Sequence, residues 1–319
     1  MRSGENDALC GVICIDKPAG MTSHDVVNRL RRLYMTRRIG HTGTLDPMAT
    51  GVMCVLIGRA AKAAEYVTAA DKHYIAGMRL GLRSDTGDIT GVLETTGVPL
   101  PGEDAVQEAA ASFRGGITQV PPMYSALKVG GKKLVDLARQ GIEIGREARP
   151  VTIYRLEAAP VPGVSGEYRL DVICSKGTYI RTLCTDIGDR LGCGAVMSSL
   201  RRTASGRFTL DGCVTLEALE AMTPEERIAR LAPVETLFAD WPAVRLPAFY
   251  ERLARSGCEI YLKKLGIALP EGTMAALYGS TGFFAVAGVC MYPGGPALKP
   301  LKQFALLPDQ KEGADDERG

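Results

Sequence analysis

GHTGTLDPMATGVMCVLIGRAAK, residues 40–62, joins a polar loop directly to a core strand. The loop, RIGHTGTLDPMATG (38–51), is rich in Gly and Thr, a composition that favours irregular backbone. The run VMCVLI (52–57) is continuously apolar and suits a strand buried on both faces. Asp46 sits between Leu45 and Pro47, and a residue before proline is restricted to extended backbone. By itself an Asp in such a loop is an ordinary turn residue. Next to an apolar strand, however, its carboxyl would be pushed up by desolvation unless a cation compensated.

Outward from this stretch, CGVICID (10–16) reads as a strand and KPAG turns the chain into a helix over 23–34. Thr22 or Ser23 can cap that helix, and Val26, Val27, Leu30, Leu33 and Tyr34 follow helical spacing. The run RLRRLYMTRR (29–38) holds five Arg and no acid, so its Arg residues face outward as a solvated face or as a phosphate-contacting patch. HYIAGMRLG (73–81) alternates as a strand, and LRSDTGDITG (82–91) reads as a turn-rich loop. Helices are expected over 102–114 and 132–140, and between them VPPMYSALKVGGKK (120–133) has the composition of an excursion over a core element. YRLDVIC (168–174) alternates as a strand. After KGT, Ile180, Leu183, Cys184, Ile187 and Leu191 form one helix face before Gly192, with Arg181 in the first turn. WPAVRL (241–246), MAALYG (274–279) and FFAVAGVCMY (283–292) indicate a small β-rich terminal module beginning near 245.

No GxGxxG or GxxxxGK opens a strand–helix unit, and LGCGAVMSS (191–199) lacks the third glycine. A dinucleotide-binding or P-loop fold is therefore excluded in favour of a mixed α+β architecture. With 46% hydrophobic and 23% charged residues the composition is globular, and no stretch of about 18 apolar residues could span a bilayer. The first ten residues, MRSGENDALC, lack the apolar segment of an export signal, so a cytoplasmic protein is expected. Nine scattered cysteines without CxxC spacing, and only three histidines, argue against a disulfide framework and against a metal centre. The net charge of +2 hides an asymmetry: the tail DQKEGADDERG (309–319) carries five acids against two bases and reads as disordered.

The 40–62 string resembles the catalytic motif of the bacterial tRNA pseudouridine synthase B family. Four further segments resemble that family in the same order: GVICIDKPAGMTSHDVV (11–27), HYIAGMRLGLRSDTGDITG (73–91), PPMYSALKVGGKKLVDLARQGIE (121–143), and SKGTYIRTLCTDIGDRLG with SSLRRTASGRF (175–192, 198–208). The resemblance implies a pseudouridine synthase domain over 1–240 with a mixed sheet, an RNA-gripping insertion at about 120–150, and a PUA-like module over 241–308. It implies isomerisation of uridine 55 in the T-arm loop of tRNA without cofactor or metal. It also implies Asp46 as the essential carboxylate, either a covalent nucleophile or a base leading to a glycal. By the same resemblance Arg181 is its ion-pair partner, His41 fills the gap left by the flipped base, Tyr74 stacks on the uracil, and Tyr179 and Leu200 line the pocket. Thr44 stands where Ala is frequent in the family, Met48 where Leu is, and Val135 where a Tyr is common.

Three rival readings follow. A guide-RNA-dependent synthase would work inside a ribonucleoprotein, whereas the expectation here is a monomer with no obligatory protein partner. A tRNA-binding protein without catalysis would need only basic patches and the terminal module. A glycosidase would need a second carboxylate across the bond, for which Asp85 and Asp88 are the candidates.

Overall fold

The computed structural model describes residues 9–67, 70–125 and 127–305, and the tail at 309–319 lies outside them. In chain order come β1 (Cys10–Lys17), α1 (Ser23–Leu33), β2 (Ile39–His41), β3 (Thr50–Gly58), α2 (Ala64–Val67) and β4 (Lys72–Leu80). Then follow β5 (Leu82–Ser84), β6 (Leu93–Thr95), α3 (Glu103–Ala111), β7 (Gly115–Gln119), β8 (Lys128–Val129), β9 (Lys132–Lys133) and α4 (Leu134–Ala138). β10 (Arg149–Pro160), β11 (Glu167–Cys174), α5 (Ile180–Arg190), β12 (Ala195–Ser205), β13 (Phe208–Thr209), α6 (Leu216–Ala221) and α7 (Pro224–Ala229) complete the larger part. Its sheet runs β1-β3-β12-β4-β11-β10-β7, with β2 added to β3 and β13 to β12. Pairing is antiparallel except between β12 and β3, which are parallel over Arg201↔Thr50 and Arg202↔Gly51 alone.

The apolar runs form strands without clean alternation because both sheet faces are covered. On β1, Ile13 and Ile15 pack with Val26, Val27 and Leu30 of α1. Val12 and Cys14 point the other way, into a cluster with Cys54, Leu56 and Phe238. α1 begins at a capping box, in which the Asp25 N–H donates to Thr22 Oγ1 (3.1 Å) and the Thr22 N–H donates to the Asp25 carboxylate (2.9 Å). Two glycines set close approaches. Gly51 has φ +103°, and a Cβ there would lie 2.1 Å from the Arg202 carbonyl oxygen; a Cβ on Gly188 of α5 would lie 2.1 Å from the Ala195 nitrogen. The first brings the 42–50 loop against β12, and the second lays α5 on the sheet.

The expected strands and main helices are present, but the insertion helix is confined to Leu134–Ala138, and 82–91 is not all loop. Leu82–Ser84 pairs with Leu93–Thr95 as a short hairpin, whose second strand is fully exposed and so carries no hydrophobic signal.

The C-terminal part is a five-stranded, β-rich, PUA-like module: β14 (Ala243–Arg245), β15 (Ile260–Tyr261), β16 (Met274–Gly279), β17 (Gly282–Tyr292) and β18 (Gly295–Gln303), in the order β14-β16-β17-β18-β15. It shares a core with the larger sheet. Phe238 packs against Trp241 (4.8 Å between ring centroids), Phe304 (5.6 Å) and Phe283 (5.7 Å), in one cluster with Val12 and Leu56 of β1 and β3. Removing such a buried ring loses its transfer energy and leaves a cavity. Phe238→Ala is therefore expected to lower unfolding free energy by about 3–5 kcal/mol and to loosen the module from the sheet. Urea unfolding followed by fluorescence of the single tryptophan, Trp241, checks this; a loss below about 1 kcal/mol would show that the two sheets do not share this core.

Candidate active site

The loop that carries Asp46 has few backbone partners of its own, and three buried polar side chains hold it instead. Lys17, at the end of β1, donates from Nζ to the carbonyls of Ala49 (2.7 Å), Pro18 (2.9 Å) and Pro47 (3.2 Å). Ser23, the first residue of α1, accepts from the Leu45 N–H (2.8 Å) and donates to the Leu45 carbonyl (3.0 Å). Arg202 of β12 donates to the carbonyls of Val52 (2.7 Å), Gly43 (3.1 Å) and Thr44 (3.4 Å). Buried backbone carbonyls require such partners, so these side chains fix the loop's shape. Burial lowers the Lys17 ammonium to about 8, with the nearby Asp46 carboxylate opposing the shift.

Asp46 meets Arg181 from the first turn of α5 in a two-point ion pair. Arg181 Nε lies 3.0 Å from Oδ2, and Nη2 donates to Oδ1 at 3.3 Å. The Arg181 side chain is 6% exposed and that of Asp46 33%, so the carboxylate's free edge opens outward while the guanidinium is enclosed. Arg181 also donates to the Tyr124 carbonyl (2.6 Å) and the Thr86 carbonyl (2.9 Å), tying the 82–91 and 120–125 segments to the same point. Asp88 Oδ2 lies 3.7 Å from Arg181 Nε. The other Asp88 oxygen accepts from Thr90 Oγ1 (2.5 Å), the Thr90 N–H (2.9 Å) and Thr86 Oγ1 (2.9 Å). Burial raises the Asp46 carboxyl above the usual carboxylate range and Asp88 adds to this, while Arg181 and Lys17 pull it down.

A cavity of about 530 Å³ opens beside the pair, within the usual range for ligand sites. Asp46, Arg181, Tyr74, Tyr179 and Leu200 all line it, and Asp46 is the one carboxylate among the described lining residues. Leu200 and Arg202 share a face of β12, with Tyr74 of β4 directly opposite Arg202 in the register. Burial pushes the Tyr74 phenol up, so it stays protonated at neutral pH. Tyr179 is held by Gln119, which accepts from its N–H (3.0 Å) and donates to its carbonyl (3.3 Å). Lys176 and Arg149 stand exposed at the mouth. His41 is the one expected residue not on the cavity wall. It precedes Thr42, which is on it; the His41 ring is lowered by burial, and its Nδ1 is buried without a hydrogen-bond partner. Lys17, Gln119 and Arg202 escaped the sequence reading, although Lys17 and Arg202 lie within the motifs quoted for the resemblance; Ser23 was read only as a helix cap and Asp88 only as a second carboxylate for a glycosidase.

A family model described as "TruB family pseudouridylate synthase (N terminal domain)" matches residues 31–180, and one described as "tRNA pseudouridylate synthase B C-terminal domain" matches 181–239. The tRNA pseudouridine synthase B of Aromatoleum aromaticum is 44% identical over 284 residues, 89% of this chain and 87% of the relative. The chain belongs to the TruB family of pseudouridylate synthases. The protein of the same name from Burkholderia mallei is 51% identical over 76% of this chain and 79% of its own length. Among solved structures, an "H/ACA RNP bound to a substrate RNA containing 2'-deoxyuridine" has a chain that superposes with a TM-score of 0.68 at 25% identity, covering 93% of this chain and 85% of that one. A "Cbf5-Nop10-Gar1 Complex" gives 0.67 at 27% identity, covering 92% and 85%. The boundary between the two TruB family matches falls between Ile180 and Arg181, so the Asp46–Arg181 pair joins them.

The opposed influences on Asp46 give a pH prediction. Arg181 lowers a carboxyl that burial raises, so Arg181→Met should move the acid limb of kcat to higher pH and cut kcat at pH 7 by about 100-fold or more. A pH–rate profile checks it, and an acid limb unmoved by the substitution would dissociate Arg181 from the ionisation of Asp46.

Proposed function

We infer that the protein isomerises uridine to pseudouridine at position 55 in the T-arm loop of tRNA, with Asp46 as the reacting carboxylate and no cofactor. One observation carries this reading: a single carboxylate, held by a two-point pair with a buried arginine, faces a cavity of about 530 Å³ with a basic mouth. The reaction breaks the N1–C1′ bond, turns the uracil and joins C5 to the same C1′, after which the C5 proton is lost. No atom is gained and no electron is transferred, so the groups present suffice. Asp46 begins it ionised, either attacking C1′ or taking the C2′ proton. The Arg181 pair supports the ionised form against the burial that disfavours it.

Uridine inside a folded loop must be turned out of its stack to reach this cavity. Tyr74, neutral and on the cavity wall, is suited to stack on the extruded uracil, with Leu200 and Tyr179 as its walls. The exposed Lys176 and Arg149 are suited to neighbouring phosphates. His41, half-buried and lowered toward its neutral form, is suited to occupy the space left by the base.

The glycosidase alternative loses support because Asp88 is committed to Thr86, Thr90 and Arg181 and does not line the cavity. The tRNA reading is preferred to a guide-RNA one because relatives at 44–51% identity are named tRNA pseudouridine synthase B, against 25–27% for the ribonucleoprotein chains. A monomer that acts on tRNA without an obligatory protein partner is part of the same reading. Among the described residues no helix is long and apolar enough to cross a membrane.

Tritium release from tRNA labelled at uridine C5 tests the reading. The protein without added cofactor should release tritium, and Asp46→Asn should lower the rate by about 10⁴-fold or more. Tight tRNA binding with no release from either protein would make it a binding protein instead.

A further inference from the structure

Three of the nine cysteines meet on one face of the sheet, away from the cavity. Cys14 of β1 is the direct register partner of Cys54 on β3. The segment after β13 runs parallel to β1: the Val214 N–H donates to the Cys14 carbonyl (2.9 Å), and the Asp16 N–H donates to the Val214 carbonyl (3.1 Å). This sets Cys213 beside Cys14. Cys14 and Cys54 belong to one buried cluster, and Cys213 packs against it. The Cys213 thiol donates to the Thr209 carbonyl (3.4 Å), which holds it against β13 at the edge of this cluster. Among the described residues no group of three His, Cys, Asp or Glu side chains could hold a metal ion, so the three thiols do not form a metal site.

The members of the trio differ in access. Cys14 and Cys54 are buried, whereas Cys213 is partly exposed. A cavity of about 150 Å³ lined by Cys14, Gly212 and Val214 opens beside them. The neighbouring Cys14 thiol, Arg201 and Arg202 lower the Cys213 thiol against burial and Asp16, while Cys14 is raised by its cysteine neighbours and by burial. A reachable thiol next to a second thiol is the arrangement of a reversible oxidation site.

We propose that Cys213 and Cys14 form a redox-active pair in which a hydroperoxide oxidises Cys213 and Cys14 then closes a disulfide with it. The Cys213 thiolate attacks one peroxide oxygen; an S–O bond forms, the O–O bond breaks, and the departing oxygen takes a proton and leaves as water or alcohol. The Cys14 sulfur then attacks that of Cys213; the S–S bond forms, the S–O bond breaks, and hydroxide leaves as water with the Cys14 proton. The two thiols lose two protons and two electrons, and the peroxide gains them. A dithiol such as dithiothreitol restores both thiols by exchange.

Hydrogen peroxide on the full chain, followed by alkylation and peptide mapping without reductant, tests the proposal. A Cys14–Cys213 linked peptide two hydrogens lighter than the free pair is expected, forming about tenfold faster than any oxidation of the exposed Cys258. Cys14→Ser should instead leave a dimedone-reactive sulfenic acid on Cys213. Cys213→Ser should lose the linked peptide while melting at the parent temperature. Oxidation of Cys258 ahead of the pair, or Cys14–Cys54 linkage in Cys213→Ser at the parent rate, would overturn it.

Discussion

A carboxylate at the end of a buried strand can stay charged only beside a compensating cation, and the two-point contact between Asp46 and Arg181 meets that constraint. Much of the molecule converges on this contact. Arg181 comes from a helix laid against the sheet at Gly188, and it binds carbonyls of the 82–91 and 120–125 segments. Asp46 comes from a loop whose carbonyls are taken up by Lys17, Ser23 and Arg202. Displacing either group leaves a charge in a place that solvates it poorly.

The loop clamp shows why this site tolerates irregular backbone. β3 and β12 run parallel over two residue pairs only, so the sheet has too little pairing there to satisfy the adjoining loop. Lys17 and Arg202 supply the donors that a longer ladder would have supplied. Two nearly inaccessible cations are costly to desolvate, and the lowering of Lys17 to about 8 reflects that cost. Their carbonyl partners offset it, and the loop gains one fixed shape. Catalytic geometry demands that fixity, because a reacting group displaced by about 1 Å loses much of its effect.

The second sheet is not an appendage. Phe238, at the crossing from one sheet to the other, packs against Trp241, Phe283 and Phe304, so the terminal module completes the core behind β1 and β3. The face of β1 that carries Cys14 is the one this core covers, while its other face receives α1. Each strand next to the site is thereby braced on both sides. A rigid scaffold under a loop-borne carboxylate is the general arrangement for positioned chemistry.

The sequence by itself determined the elements and singled out the carboxylate of the candidate site. Apolar runs at 10–16 and 52–57, alternation at 73–81 and 168–174, and the cap at Thr22 depend on neighbours a few residues away, so they are legible without coordinates. Asp46, Arg181, Tyr74, Tyr179 and Leu200 were legible through short motifs, and the structure gathers all five around one cavity. What holds them was not legible. Lys17 and Arg202 look like ordinary strand cations until tertiary structure buries them, 185 residues apart in sequence, against one loop, and Asp88 reads as a possible second carboxylate until Arg181 arrives from far along the chain and takes it up. The short hairpin at 82–95 and the inward-set His41 were equally hidden, the first because both its strands lack an apolar face and the second because burial is a property of the packed chain. Local periodicity encodes local hydrogen bonding, whereas satisfaction of buried charges and carbonyls is settled only when distant segments pack.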